Sequence, residues 1–354
     1  MQWIVSVIGL VALLLLVFGT RQRPTASYRD VLLEDELISH IGSLAARGLG
    51  KGRGRIVMPP HMQRSLHRCI GYLNRWEERL PCAQWFTDNG RFLQEMTAAA
   101  QGEIKGVGKL PKDADGQIRV MRFARELVGH SNADVKGDLL VRAVTAWQEN
   151  APFTENEITA LPVALRVTLL SLLEEMLTKC DEEQRAYNAA PSFASRLFSE
   201  HPSRAMRLFE RYKRSTTFLE HLLSLLRASE EPAAIAWLDE QLAGLQMQSA
   251  QIAQVEHDRQ TEHRLWVGNA ITSLRVLSRL PWERLTEEMS LLNAALLQDE
   301  VYPTMDAESR AYYRQVAVRI GRRFGMPDLS VCRAALALCE GQGEDELAAH
   351  VGYY

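Results

Sequence analysis

The feature that most constrains this chain lies between Thr261 and Arg314, where apolar residues recur at helical spacing and two prolines interrupt the recurrence. Val267, Ile271, Leu274 and Leu277 fall on one side of a helix, and Leu265, Asn269, Thr272 and Val276 share another. Pro281, which has no amide proton to donate, stops that helix. Leu285, Met289, Leu292 and Leu296 carry a second stripe at the same spacing, with Leu274 and Leu292 expected to face one core. Tyr302-Pro303 breaks the chain again, and Asp306 is placed to cap a third helix with Ser309 in its first turn. A chain built this way buries its apolar faces helix on helix.

From His61 onward the remaining sequence reads alike, and no run alternates apolar and polar residues long enough for a useful strand. Thr154 and Glu157 have the spacing of a capping box that opens a short helix. Pro162 then fits the first turn of the next, whose run 165–177 is the most apolar of the body. Phe193, Phe209, Phe218 and Leu222 mark two or three short helices between 191 and 228. One helix is expected over 232–262, through Trp237, Leu238, Leu242 and Ile252. Its stretch Ala253–Gln260 is polar nearly all round, which suits exposure or a place wedged between bundles. Gly325 has the position of a helix C-cap. The segments 48–55 and 101–116 are glycine-rich, and freezing so much glycine backbone is costly, so both are expected as loops. No strict repeat period is present. The expected fold class is all-α: a multi-helical bundle or irregular α-solenoid body of roughly ten to thirteen helices, behind one N-terminal transmembrane helix.

That last element rests on residues 3–18, which carry no charge and, with their flanks, are about long enough to cross a bilayer. A cleaved signal peptide competes with this reading, but no Lys or Arg precedes the run and no clear cleavage site follows it. Arg21, Arg23 and Arg29 follow instead, which puts the body on the cytoplasmic side. The division is therefore 1–20 as anchor, 21–60 as juxtamembrane connector and 61–354 as multi-helical domain. In the connector, Lys51, Arg53 and Arg55 are suited to anionic headgroups, although a solvated loop explains them as well. Five cysteines without a C-x-x-C pair suit a reducing compartment, and a net charge of −3 excludes a globally basic nucleic-acid binder.

A search for chemistry finds fragments of sites. Asp113-Ala-Asp115 is formally a metal-holding D-x-D, but it sits beside Gly116 in a glycine-rich loop, where turn chemistry explains it. Asn74-Arg75-Trp76 has Tyr72 where the glutamine of a processive transferase belongs. Gly106-Val107-Gly108-Lys109 has the outline of a phosphate loop, yet Glu103 and Leu110 stand at two of its required positions. His61, His67 and Cys69 lack a second ligand cluster, and His257 and His263 point to different faces of a helix. Glu174 with Glu175, and Glu287 with Glu288, are adjacent pairs about 100° apart on a helix, as expected of solvated faces. Trp76, Trp85, Trp147, Trp237, Trp266 and Trp282 are suited to stacking on sugars, but each also falls in an apolar helical pattern. The sequence assigns no catalytic residue, no metal ligand and no cofactor.

Several blocks carry a resemblance: V-G-N-A-I-T-S-L-R (267–275), P-W-E (281–283) and Y-P-T-M-D-A-E-S-R-A-Y-Y-R (302–314), together with A-Q-W-F-T-D-N (83–89) and 118–130. In order and spacing they resemble the helical region near the N-terminus of the cyclic β-1,2-glucan synthases, over roughly residues 80–354. The family consists of large bacterial inner-membrane proteins that polymerise and cyclise glucan from UDP-glucose. The resemblance implies that the catalytic modules lie beyond Tyr354, and that this chain is an N-terminal portion of something longer. Its role is then architectural: anchoring, packing against the transferase module or guiding the glucan. The implied partners are the membrane, the remaining synthase modules and β-1,2-glucan, with no nucleic acid. A free-standing, membrane-tethered helical adaptor for protein partners is the alternative.

Overall fold

A computed structural model describes residues 30–46, 48–197, 202–229, 232–340 and 349–354. The apolar run 3–18 and Arg21, Arg23 and Arg29 lie outside the described residues. Among those described, no helix is long and apolar enough to cross a membrane.

The architecture is helical and is built around one long element. Helix α7 (Glu155–Ala194) follows α1 (Glu34–Ala45), α2 (Met62–Leu73), α3 (Pro81–Asp88), α4 (Gly90–Gly106), α5 (Arg119–His130) and α6 (Gly137–Asn150). The capping box at its start forms as the sequence implies: Thr154 N–H donates to the Glu157 carboxylate at 2.9 Å, and Thr154 Oγ1 accepts from Glu157 N. The two helices expected beyond it are one of 40 residues, with Pro162 inside. Proline removes one backbone bond there, but Ala160, Leu161, Ala164, Leu165, Leu169 and Leu170 are all buried around it. A segment apolar on every side must be surrounded, and α2, α4 and α5 surround it. That burial outweighs the local penalty.

Three apolar clusters result. The first joins α1–α6, the first part of α7 and the C-terminal half of α11 (Ser249–Arg279). At its centre Trp147 stacks on Phe153, with ring centroids 5.3 Å apart, and Phe123 meets both edge-on. The second joins the end of α7, α8 (Pro202–Tyr212), α9 (Thr216–Ala228), α10 (Pro232–Gly244) and Ile252. The third gathers α13 (Leu291–Leu296), Tyr302, α14 (Ala307–Phe324), α15 (Asp328–Cys339) and Val351. With α12 (Trp282–Met289) the described residues form fifteen α-helices, more than the sequence suggested. The segment of the expected connector that is described is not separate, since Leu37, Ile41, Leu44, Ala45 and Ile56 are buried in the first cluster.

Two helix boundaries differ from expectation. The helix anticipated over 232–262 ends at Gly244, and after a turn with Gln246 at φ +59° the chain runs unbroken from Ser249 to Arg279. The polar stretch 253–260 is mostly exposed, with Glu256 buried, and α11 links the second cluster, through Ile252, to the first. Pro281 ends it as expected. The stripe Leu285–Leu296 is divided at Ser290, whose side chain caps α13 by accepting from Asn293 N at 3.1 Å. Met289 consequently packs in the first cluster and Leu292 in the third, so Leu274 and Leu292 do not share a core. Asp306 caps α14 through Ser309 N at 2.8 Å, and Gly325 closes it at φ +67°.

The glycine-rich segments also correct the expectation of loops. Strand β1 (Leu49–Gly54) pairs antiparallel with β2 (Leu110–Asp113). Glycine is required by close approach: a Cβ at Gly50 would lie 1.8 Å from the Asp113 carbonyl oxygen, and Gly52 has φ +93°. Gly50→Val is therefore expected to unzip this strand pair, read as lost hydrogen-exchange protection at 49–54 and 110–113 while the helices keep theirs. Unchanged protection of those strands would refute the pairing.

Candidate functional site

Charged side chains tie the helices together, among them three groups built from residues far apart in sequence. The first clasps the third cluster to α7. Arg314 Nε donates to Glu155 Oε1 at 2.8 Å, and its Nη1 reaches Glu287 Oε1 at 3.1 Å and Tyr302 OH at 3.0 Å. Arg310 holds the same Glu287 through two bonds of 2.9 Å, and Ser290 Oγ donates to Glu155 Oε2 at 2.5 Å. Burial raises the Glu155 carboxyl, with Ser290 and Arg314 opposing it, whereas the Arg310 guanidinium holds Glu287 below the usual carboxylate range. Glu287 is thus not the solvated residue its sequence position suggests; its side chain is 16% exposed.

The second group joins α3, α7 and α11. Cys82, Glu183 and His263 place three metal-ligating atoms within 4.8 Å of one another, all buried. His263 Nδ1 lies 3.3 Å from Glu183 Oε1, an oxygen that Arg259 Nη1 also contacts. The neighbouring Cys180 thiol, against the opposing effect of burial, brings Cys82 down to about 7. Burial works against charge on His263, but Cys82 and Glu183 outweigh it and push the imidazole up to about 9. Arg259 also binds Glu256 at 2.7 Å and Thr217 Oγ1 at 2.5 Å. With a guanidinium already seated on Glu183, the group is a charge-paired joint, and a metal cation there would sit against Arg259. The third group, His40, Glu126 and His130, lies where α1 meets α5.

The residues singled out in the sequence are placed as follows. Arg122 grips Asp113 at 2.8 Å and Asp115 at 2.5 Å, and Asp113 also accepts Gln117 N–H, so the D-x-D is a turn held by an arginine. Glu174 accepts from Ser65 Oγ at 3.1 Å, and Glu175 pairs with Lys179. His61 bonds Arg64 on the surface, His67 is exposed and Cys69 is buried, so those three do not converge. His257 and His263 do lie on different faces, one exposed and one buried. Trp147 and Trp266 are core residues; Trp85, Trp237 and Trp282 are partly buried against cores, and Trp76 is exposed. Sequence reasoning missed the Cys82–Glu183–His263 meeting, which has no local signal. Glu126 and His130, one helical turn apart, were visible as a pair, but His40 was not.

The blocks that carry the family resemblance meet one another. Arg275 donates to Asn89 Oδ1 at 2.6 Å, and a Cβ at Gly268 would stand 3.2 Å from the Trp85 ring, which joins 267–275 to 83–89. The loop after α5 holds Asn132 and Ala133 at positive φ. Asn269 donates to the Asn132 carbonyl at 3.0 Å and Ser273 Oγ to the Ala133 carbonyl at 2.6 Å, over-determining that strained turn. Tyr302, Arg310 and Arg314 of the 302–314 block build the first charged clasp. An apolar groove lies between α14 and α15, lined by Tyr312, Tyr313, Val316, Ile320, Leu338 and Tyr353. Tyr312 is 61% exposed there, and Leu338 and Tyr353 are exposed as well.

Fold and site together define a helical scaffold cross-tied by buried ion pairs, with its resembling blocks engaged in internal packing. No family model matches the sequence. The chain is similar to the cyclic beta-(1,2)-glucan synthase NdvB of Rhizobium meliloti (strain 1021), 25% identical over 273 residues, which make up 73% of this chain and 10% of that protein. The chain thus matches about a tenth of the length of this relative.

Proposed function

We propose that this chain is a non-catalytic helical scaffold of cyclic β-1,2-glucan synthesis, supporting a UDP-glucose-dependent transferase module by packing against it. The observation that carries the reading is where the similar blocks go. Arg275, Gly268, Ser273 and Arg314 all serve contacts between segments far apart in the chain. The exposed apolar groove of Tyr312, Leu338 and Tyr353 supplies the docking face. Residues 1–20 serve as the anchor, with Arg21, Arg23 and Arg29 keeping the body on the cytoplasmic side of the inner membrane.

Deleting the chain from its source cell is expected to abolish or sharply reduce cyclic β-1,2-glucan, and Tyr312→Asp combined with Leu338→Asp should do the same without moving the melting temperature. The purified chain given radiolabelled UDP-glucose should make no glucan. Normal glucan in the deletion would overturn the reading and favour the free-standing adaptor. Label incorporated by the pure chain would overturn its non-catalytic part.

A further inference from the structure

Where α1 crosses α5, His40, Glu126 and His130 place two imidazole nitrogens and a carboxylate oxygen within 4.8 Å of one another. His40 Nε2 stands 3.1 Å, and His130 Nε2 3.5 Å, from the same atom, Glu126 Oε2. The two rings meet edge to face with centroids 4.8 Å apart. His130 Nδ1 is 2.7 Å from the main-chain carbonyl of Asp30. A carbonyl oxygen only accepts, so Nδ1 carries a proton. In the neutral ring that leaves Nε2 with a lone pair aimed at a carboxylate oxygen. A proton or a metal ion between the two would satisfy both atoms.

An N–H···O bond spans about 2.7–3.2 Å, which fits the 3.1 Å His40 contact, whereas the 3.5 Å separation of His130 exceeds it. Adjacent ligands on an ion with bonds of about 2.1 Å stand about 3.0–3.4 Å apart, close to both separations seen here. The bond from His130 Nδ1 to a backbone carbonyl is also the outer contact that orients metal-bound imidazoles. Glu126 and His130 project from one helix four residues apart, a chelating pair already held in place, and His40 completes the set from a second helix. We propose that His40, Glu126 and His130 bind one divalent transition-metal ion. Two imidazoles and one carboxylate suit zinc, cobalt or nickel rather than magnesium or calcium. The His40 side chain is 33% exposed, so water has access to the remaining coordination positions. The ion would pin α1, the element next to the undescribed N-terminal segment, to the body.

The test uses the full chain in detergent, stripped with EDTA and titrated with zinc chloride by calorimetry, with cobalt chloride as a spectroscopic probe. One equivalent is expected to bind, with visible cobalt d–d bands and a raised melting temperature. His40→Ala, His130→Ala and Glu126→Gln should each weaken binding at least tenfold. His61→Ala and His67→Ala, on exposed histidines, and Cys82→Ser, in the other group, should leave the stoichiometry unchanged. His40→Gln with a circular dichroism spectrum separates loss of a ligand from loss of fold. No stoichiometric binding, or binding that survives both His40→Ala and His40→Gln, overturns the proposal and leaves the trio a hydrogen-bonded contact between α1 and α5.

Discussion

Arg314→Ala is expected to destabilise the protein by about 3–5 kcal/mol, because it strands the buried Glu155 carboxylate, whereas Glu287 keeps its two bonds from Arg310. Glu155 would lose its charge partner, and Ser290 alone would remain on its carboxylate. Tyr302 OH and Asn293 Oδ1 would lose the same donor. A margin of about 5–15 kcal/mol is usual for a folded protein, so the loss is a large share of it. Arg310→Ala is the matched comparison. Its side chain is more open, and Glu287 would keep Arg314, so a cost of about 1 kcal/mol or less is expected. Urea unfolding of the two variants gives the comparison directly. Equal, small losses would show that the clasp contributes little and that the third cluster is held by apolar packing alone.

The parts of this fold legible in the sequence are those whose cause lies within about four residues. Thr154 with Glu157, Asp306 with Ser309, Pro281 and Gly325 mark helix ends because cap and capped group are neighbours on the chain. Pro162 misleads because its cost is local while the compensation comes from α2, α4 and α5 packed round it. Ser290 looks like one more turn of a stripe, but it caps α13 and bonds Glu155, which is 135 residues away. Strand β1 has no apolar alternation to announce it, since its glycines answer to the Asp113 backbone and not to a core.

The charged groups were hidden for the same reason. Glu287 and Glu288 look equivalent as a pair, yet one is held by two arginines of α14 and the other is exposed. Cys82, Glu183 and His263 come from three helices, and only the crossing of α3, α7 and α11 brings them together. The resemblance blocks were legible as family marks long before their work was. Arg275 reaching Asn89, and Ser273 holding the Ala133 turn, give them a physical task in packing.

Leu274→Ala and Leu292→Ala are each expected to cost about 2–5 kcal/mol, from lost transfer energy plus the cavity left behind. Both side chains are buried, but Leu274 packs with Val267, Ile271 and Leu277 in the first cluster, whereas Leu292 packs with Leu296, Tyr302 and Val318 in the third. Sequence spacing alone would make them partners in one core and their double mutant non-additive. The break at Ser290 separates them, so the two losses should add to within about 0.3–0.5 kcal/mol. A cycle of the wild type, two single variants and the double variant, unfolded in urea, measures the coupling. Coupling above about 1 kcal/mol would mean that the first and third clusters act as one core across the Glu155–Arg314 clasp. Additive losses with two resolved transitions would instead show the third cluster unfolding by itself, independently of the body.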